Sequence, residues 1–173
     1  MDRPEPTDAE LVARANGGDR TAFAALYERH RTFVLRVAWR LCGQEDLAAE
    51  ATQETFLGWL KRFPGFELRG RASTFLYPVV RSICIDMARR RRRALRMPAR
   101  DDDLAGPLPD ANSGTPLAAA VSRLPFGQQE VVLLRFGSGL SLEEIAESLD
   151  VPVGTVKSRL HLALAALREA VDR

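Results

Sequence analysis

The chain has 173 residues, of which 46% are hydrophobic and 28% charged, and its formal net charge is +2. This composition excludes a globally disordered protein, and the length allows one medium domain or two small ones. No stretch approaches the ~20 apolar residues of a membrane-spanning helix, and residues 1–10 lack an apolar signal segment. We therefore expect a cytoplasmic protein.

The first predicted elements are helices, because long alternating apolar runs are absent and the β-branched residues fall at helical spacing. A first helix is predicted over 8–15. A second begins after Asp19, a suitable N-cap, and ends at Gly43. A third is predicted over 44–63, where large apolar side chains recur at intervals of three and four. These patterns predict an all-α fold.

A fourth helix is predicted to begin at Ser73 or Tyr77 and to run into the arginines 89–93. Pro78 favours the later start, because proline fits the first turn of a helix and disrupts its interior. Between residues 61 and 96 the sequence has eleven Lys or Arg residues and two acidic ones. Such a block predicts a nucleic acid or another polyanion as partner, the alternative being a solvated helix face.

Residues 97–116 contain four prolines and two glycines, and little that could be buried. This composition is typical of a flexible linker. It divides the chain into a helical domain over 1–96 and a second over 117–173. We therefore predict two small helical domains joined by a flexible linker.

The two cysteines, Cys42 and Cys84, lie in apolar stretches without CxxC spacing and with few histidines nearby. We interpret them as small core residues, with a disulfide or a metal site as the alternative. The sequence indicates no metal site and no cofactor.

The C-terminal domain contains the pattern of a helix-turn-helix. Ser141 and Glu144 have the spacing of a capping box, which predicts a short helix from this point. Pro152 is well placed to open the next helix. That helix would bury an apolar stripe, which consists of Val156, Leu160, Leu164 and Leu167.

The opposite face of this helix carries Lys157, Ser158 and His161 near its N-terminus, where a recognition helix presents side chains to major-groove base edges. Arg159 is expected to reach phosphate, as are backbone N–H groups near Thr155. The alternative is a helix pair that never touches DNA, since such pairs occur in other proteins.

The segments 124–136, 139–146 and 153–160 resemble the promoter-reading C-terminal domain of extracytoplasmic-function (ECF) sigma factors. The resemblance implies that four side chains face the upstream (minus thirty-five) promoter element: Lys157, Ser158, His161 and Leu162. It also implies that Arg135 contacts the DNA backbone. His161 stands at a position that varies among members, which leaves the preferred bases open.

The N-terminal domain resembles the part of the same family that binds core RNA polymerase, over 11–14, 18–27 and 50–57. The docking residues that this implies are Glu50, Gln53, Glu54 and Leu57. A polar patch beside large apolar side chains is also a reasonable docking surface for a basic helical partner. Without the resemblance, an ordinary solvated face is the preferred interpretation.

The stretch 69–77 and the arginine-rich helix after it resemble the loop and helix that capture the melted downstream (minus ten) element. Aromatic rings beside a cationic track suit a single strand, since each stacked base contributes about 1–3 kcal/mol. The implied residues are Arg69, Arg71, Ser73, Phe75, Tyr77, Arg81, Ser82, Arg89, Arg90, Arg91 and Arg92.

The aromatic residues and Ser82 differ in how well they fit this role. Phe75 is favoured as a core residue, whereas Tyr77 fits either the core or the strand. Many family members carry tryptophan where this chain has Phe75 and asparagine where it has Ser82, and Pro78 interrupts the usual helical run. The downstream promoter sequence and the efficiency of melting are therefore the least transferable properties.

The sequence as a whole predicts a sigma factor, which is a polymerase subunit and not itself an enzyme. The implied partners are core RNA polymerase, a double-stranded upstream element, a single-stranded downstream element and an anti-sigma factor. One alternative is a stand-alone helix-turn-helix regulator, which predicts dimers and palindromic sites. Another is a DNA-acting enzyme such as a recombinase, but Ser73 and Tyr77 lack a triad-like or metal-binding set around them.

Overall fold

The computed structural model describes residues 5–95 and 116–171, and the regular structure in these two ranges is entirely helical. The all-α prediction is therefore confirmed. The predicted linker lies outside the described residues except for Pro116, which begins a helix. In chain order the helices are α1 (Asp8–Asn16), α2 (Arg20–Cys42), α3 (Glu45–Leu60), α4 (Ala72–Ala94), α5 (Pro116–Ser122), α6 (Phe126–Val132), α7 (Leu142–Leu149) and α8 (Val153–Val171).

Side-chain caps set the start of the first two helices. Thr7 and Glu10 form a capping box at α1, in which each side chain accepts the other's backbone N–H, at 2.7 and 3.3 Å. Asp19 accepts from the N–H of Thr21 at 2.9 Å and of Ala22 at 3.2 Å, as its predicted role as the N-cap of α2 requires. Gly43 ends α2 at φ 66°, a conformation that glycine adopts without strain.

Helix α3 ends three residues earlier than predicted, at Leu60, which is exposed. The neighbouring Trp59 is buried, with 1% of its surface exposed, and it lies at the centre of an aromatic cluster. The ring centroids of Phe23, Phe66 and Phe75 all lie 5.7–5.9 Å from that of Trp59. These contacts join α2, α3, α4 and the loop before α4 into the core of the N-terminal domain.

The later start predicted for α4 is wrong, since the helix begins at Ala72 and contains Pro78 as its seventh residue. Proline has no N–H, so it cannot donate to the carbonyl of Thr74, four residues earlier. Helix α4 contacts α7 of the C-terminal domain in this region, and Ser148 Oγ lies 3.5 Å from the Thr74 carbonyl oxygen. The hydroxyl of Ser148, from the other domain, thus lies near the carbonyl that Pro78 leaves without its helical hydrogen bond.

The C-terminal domain contains the predicted helix-turn-helix. Ser141 Oγ accepts from the N–H of Glu144 at 3.1 Å, and Glu144 accepts in return from the N–H of Ser141 at 2.7 Å. The capping box of α7 is therefore confirmed. Asp150 ends α7 in the left-handed region at φ 52°, and the carbonyl of Pro152 then accepts the first backbone bond of α8.

The apolar stripe predicted for α8 faces inward. Val156 and Leu167 are buried, whereas Leu160 and Leu164 are half-buried. Ala163, which the pattern did not single out, is fully buried against α5. Helix α6 continues into a π-helical turn at Leu133–Gly137 before the chain reaches α7.

The two domains pack against each other through α4. Leu76 and Val80 of α4 belong to the same buried cluster as Val131, Leu134 and Ile145 of the C-terminal domain. Helix α4 is thus covered on one side by α2 and α3 and on another by the helix-turn-helix.

Candidate nucleic-acid interfaces

The start of α8 presents one continuous exposed face. Lys157, Ser158, His161 and Leu162 are all exposed, and Leu162 retains 53% of its surface although it is apolar. At 3.6 residues per turn these four positions span an arc of about 140°, so they lie on one side of the helix. The structure therefore brings together the four side chains predicted to face base edges, and Thr155 lies half-buried beside them.

Arg159 and Arg135 occupy different surroundings from this exposed face. The guanidinium of Arg159 packs so closely on Gly127 of α6 that a Cβ there would lie 3.1 Å from it. Arg135 is exposed, but its Nη1 donates to the carbonyl of Leu140 at 2.8 Å and so braces the segment before α7. Contact of Arg159 and Arg135 with DNA phosphates therefore stays a prediction.

The loop before α4 and the start of α4 line a surface pocket. Its wall includes Phe66 and Phe75, together with Arg62, Arg69 and Glu67. The guanidinium of Arg62 lies 5.1 Å from the ring centroid of Phe75, which is half-buried. Glu147 of α7 also lines this pocket, so one wall comes from the C-terminal domain.

The sequence left Tyr77 open between the core and the strand, and the structure places it in the core. Tyr77 is 1% exposed, and its hydroxyl donates to Glu130 Oε1 at 2.5 Å. Burial, with the Glu130 carboxylate beside it, raises the pKa of Tyr77 well above its usual value. Sequence reasoning missed this pairing because its members lie on different domains.

Arg71 and Arg81 also point toward the C-terminal domain. Arg81 Nε donates to Glu130 Oε1 at 3.1 Å, and Arg71 Nη1 donates to the carbonyl of Gly139 at 2.7 Å. The other predicted strand residues near them differ, since Ser73 is half-buried and Ser82 is exposed. The strand-facing set is therefore only partly accessible in this arrangement.

The arginine run occupies the far end of α4, away from these contacts. Arg89 and Arg90 are exposed, Arg92 is half-buried, and Arg91 donates to Gln44 Oε1 at 2.6 Å. Arg89 lies 3.8 Å from Asp86, one turn earlier. Much of this positive charge faces water, where it can attract a polyanion.

An apolar groove runs between α2 and α3. Its exposed walls include Leu35, Leu57 and Leu60, which retain 42–49% of their surface. Gln53 lines the same groove, while Glu50 is exposed and Glu54 half-buried on α3. The structure thus sets the predicted docking residues beside an exposed apolar patch, which is typical of a protein-binding surface.

Two buried polar residues that the sequence did not single out lie between the domains. Arg40 of α2 is 2% exposed, and its Nη2 donates to Oε1 of Gln129 in α6. Burial lowers the pKa of Arg40 from its usual value. Gln129 also donates to the carbonyls of Ser122 and Leu124, at 3.1 and 2.6 Å, so this amide organises the α5–α6 turn.

Neither cysteine is in a disulfide; Cys84 is buried and Cys42 half-buried. Over residues 5–95 and 116–171, no group of His, Cys, Asp and Glu side chains is arranged to hold a metal ion. In the same ranges, no helix combines the length and the apolar character needed to cross a membrane.

Known families match both domains. The model of sigma-70 region 2 matches residues 26–94, and that of sigma-70 region 4 matches residues 115–167. The ECF RNA polymerase sigma factor SigE of Mycolicibacterium smegmatis is 34% identical, over 95% of this chain and 68% of its own length. SigM of Mycobacterium tuberculosis is 32% identical over 95% and 85%. The solved structure of CnrH in complex with the cytosolic domain of CnrY has a TM-score of 0.69 and 26% identity, covering 95% and 97%.

Proposed function

This chain belongs to the ECF sigma factors of the sigma-70 family and acts with RNA polymerase, and from that premise we propose which of its surfaces does what. Three surfaces have distinct chemistry: the exposed face of α8, the cationic side of α4, and the groove between α2 and α3. We assign them to duplex promoter DNA, to the melted strand and to core polymerase.

The α8 face is proposed to read the upstream element. Lys157, Ser158 and His161 together offer hydrogen-bond donors and acceptors, and the exposed Leu162 offers an apolar surface for a thymine methyl group. Arg135 is proposed to hold the adjacent phosphate backbone with the nitrogens that Leu140 leaves free. The combination of these side chains determines which bases the α8 face selects.

The cationic side of α4 is proposed to hold the opened downstream strand. A base that leaves the duplex loses its pairing and stacking, which costs a few kcal/mol. The pocket lined by Phe75 and Arg62 offers an aromatic ring and a guanidinium to such a base. The exposed arginines beyond it would hold the following phosphates, so melting would recover its cost from binding.

The groove between α2 and α3 is proposed to dock on core polymerase. Its exposed leucines supply apolar area, and Glu50, Gln53 and Glu54 supply a polar border for a basic helical partner. A stand-alone regulator would leave both this groove and the strand surface without a role. We therefore propose a non-enzymatic polymerase subunit that works in the cytoplasm.

An inhibitory partner is also proposed. CnrH was solved in complex with the cytosolic domain of CnrY, and it resembles this chain over nearly its full length. An anti-sigma protein that covers the groove or the DNA surfaces would keep the chain from polymerase until a signal removes it.

The observation that carries the proposal is that both regions of the sigma-70 family match this chain, at residues 26–94 and 115–167. In vitro transcription with core polymerase over a genomic promoter library tests it. We expect discrete start sites only when the chain is added.

Glu54→Lys should weaken core binding in a pull-down by about tenfold or more, because it reverses a charge in the docking patch. Glu169→Lys, at the exposed end of α8, is the matched control. Equal core binding by both variants would contradict the docking assignment.

A further inference from the structure

Part of the strand-binding side of α4 is covered by the chain's own C-terminal domain. Three of the side chains proposed to hold the strand, Arg71, Tyr77 and Arg81, have their polar atoms within 2.5–3.1 Å of atoms in that domain. The pocket beside Phe75 is bordered by Glu147 of α7. A strand could not occupy these positions while the C-terminal domain lies there.

Glu130 is the centre of this contact. It is 4% exposed, although a carboxylate is costly to remove from water, and it accepts from both Tyr77 and Arg81 through the same oxygen. Next to it in sequence, Gln129 accepts from Arg40 of the N-terminal domain. Two consecutive residues of α6 thus bond to α2 and α4.

The acidic side chains on this side of the C-terminal domain face the arginines that a strand would need. Glu130 meets Arg81, and Glu144 lies 3.9 Å from Arg71 Nε. A carboxylate accepts the same donors from a guanidinium as a phosphate oxygen does, with similar geometry. These glutamates are therefore chemical substitutes for the phosphates of the strand.

We propose that the free chain rests in a closed state in which its helix-turn-helix domain masks the strand-binding side of α4, with Glu130 as the latch between the domains. This inference rests on the proposed function, because it takes α4 as the strand-binding helix. In the closed state the free factor holds single strands weakly. Opening exposes Arg71, Tyr77 and Arg81 together, and polymerase docking supplies the free energy for it.

The contact is suited to release because its two arginines, unlike Glu130, are only partly buried. The side chains of Arg81 and Arg71 remain 36% and 54% exposed. Ion pairs at such positions contribute little net free energy, and opening returns the Glu130 carboxylate to water. The apolar contacts between α4 and the C-terminal domain oppose opening. The equilibrium between the closed and open states therefore depends on these contacts and on the few polar groups around Glu130.

The test uses the full-length chain in four forms: wild type, Glu130→Gln, Tyr77→Phe and the control Glu143→Gln. Glu143 is exposed on α7, so its substitution removes the same charge outside the latch. Small-angle scattering gives the radius of gyration of each form. Fluorescence anisotropy gives the affinity of wild type, Glu130→Gln and the control for a labelled 20-nucleotide single strand of mixed sequence. Circular dichroism at 25 °C checks that each form keeps its helices.

We expect the radius of gyration to increase in Glu130→Gln and in Tyr77→Phe, and the strand affinity of Glu130→Gln to rise about tenfold over both wild type and Glu143→Gln. A radius equal to that of the wild type in both latch variants would overturn the role of Glu130 as the latch. An increased radius without a gain in strand affinity would overturn the masking.

Transcription with core polymerase is run in parallel to separate this inference from the proposed function. A chain that directs transcription but whose variants stay compact contradicts the latch alone. A chain that opens on Glu130→Gln but directs no transcription contradicts the proposed function and leaves the contact between the domains supported. If Glu130→Gln loses its helices, Tyr77→Phe decides the question of opening by itself, since it removes only one hydroxyl.

Discussion

Asn16, at the end of α1, fixes the loop that precedes α4. Its Oδ1 accepts from the N–H groups of Gly65 and Phe66 at 2.8 and 3.1 Å, and its Nδ2 donates to the carbonyl of Phe66 at 2.9 Å. One side chain thus satisfies three backbone groups about fifty residues away. The loop is held where Phe66 packs against Trp59 and Phe75.

We expect Asn16→Ala to destabilise the chain by about 1–3 kcal/mol, because it leaves partly buried backbone groups of the loop without partners. Urea unfolding followed by circular dichroism measures this as a lower midpoint. The control is Gln53→Ala, which removes an exposed amide and should change stability by less than about 0.5 kcal/mol. A midpoint for Asn16→Ala equal to that of the control would show that the loop does not depend on this side chain.

At the scale of the element, the first helix of the helix-turn-helix depends on its cap. Helix α7 has only eight residues, so its backbone bonds are few and its capping box satisfies two of the N–H groups at its start. We expect Ser141→Ala to destabilise the C-terminal domain by about 1 kcal/mol.

Thermal unfolding of the full chain measures the effect of Ser141→Ala, and Ser141→Asn is the control because asparagine also caps helices well. We expect the alanine variant to melt at a lower temperature and the asparagine variant to stay close to the wild type. The reverse order would mean that the cap does not limit the stability of this domain.

At the scale of the whole molecule, the net charge of +2 conceals a strong asymmetry. The arginines 89–93 project from the exposed end of α4, beyond the contacts with the C-terminal domain. Binding of a single strand releases condensed counterions in proportion to the phosphates neutralised, so the salt dependence of affinity counts such contacts.

We expect the double variant Arg90→Ala, Arg93→Ala to bind a single strand more weakly and with a shallower plot of log affinity against log salt. If each arginine meets one phosphate, the slope falls by about 1.4, which is twice the ~0.7 per phosphate of single strands. The control removes two exposed arginines elsewhere, Arg20 and Arg168. Equal slopes for the two double variants would show that the arginines 89–93 are only solvated and do not contact the strand.

Local features of this fold are readable from the sequence, and contacts between distant segments are not. The caps at Asp19 and Ser141 depend on residues two or three positions away, so their spacing alone predicts them. Pro78 lies inside α4, near its contact with α7, and the hydroxyl of the buried Tyr77 donates to Glu130, 53 residues further on. No local pattern carries that information.

The candidate interfaces show the same contrast between local features and contacts of distant segments. The exposed face of α8 follows from the period of one helix, and its four predicted side chains lie together. The strand surface is built by a loop, a helix and a second domain, and there the sequence could name residues but not their accessibility. Arg40 and Gln129 gave no signal, because neither residue type is expected in the interior.

The aromatic cluster around Trp59 has an optical consequence. Tyr27 and Phe56 border the α2–α3 groove, Phe75 borders the pocket before α4, and Trp59 contacts both Phe56 and Phe75, with successive ring centroids 4.7–6.2 Å apart. The chain has only one other tryptophan. Indole emission shifts with its surroundings, so the part of the intrinsic fluorescence that comes from the buried Trp59 reports on both the groove and the pocket.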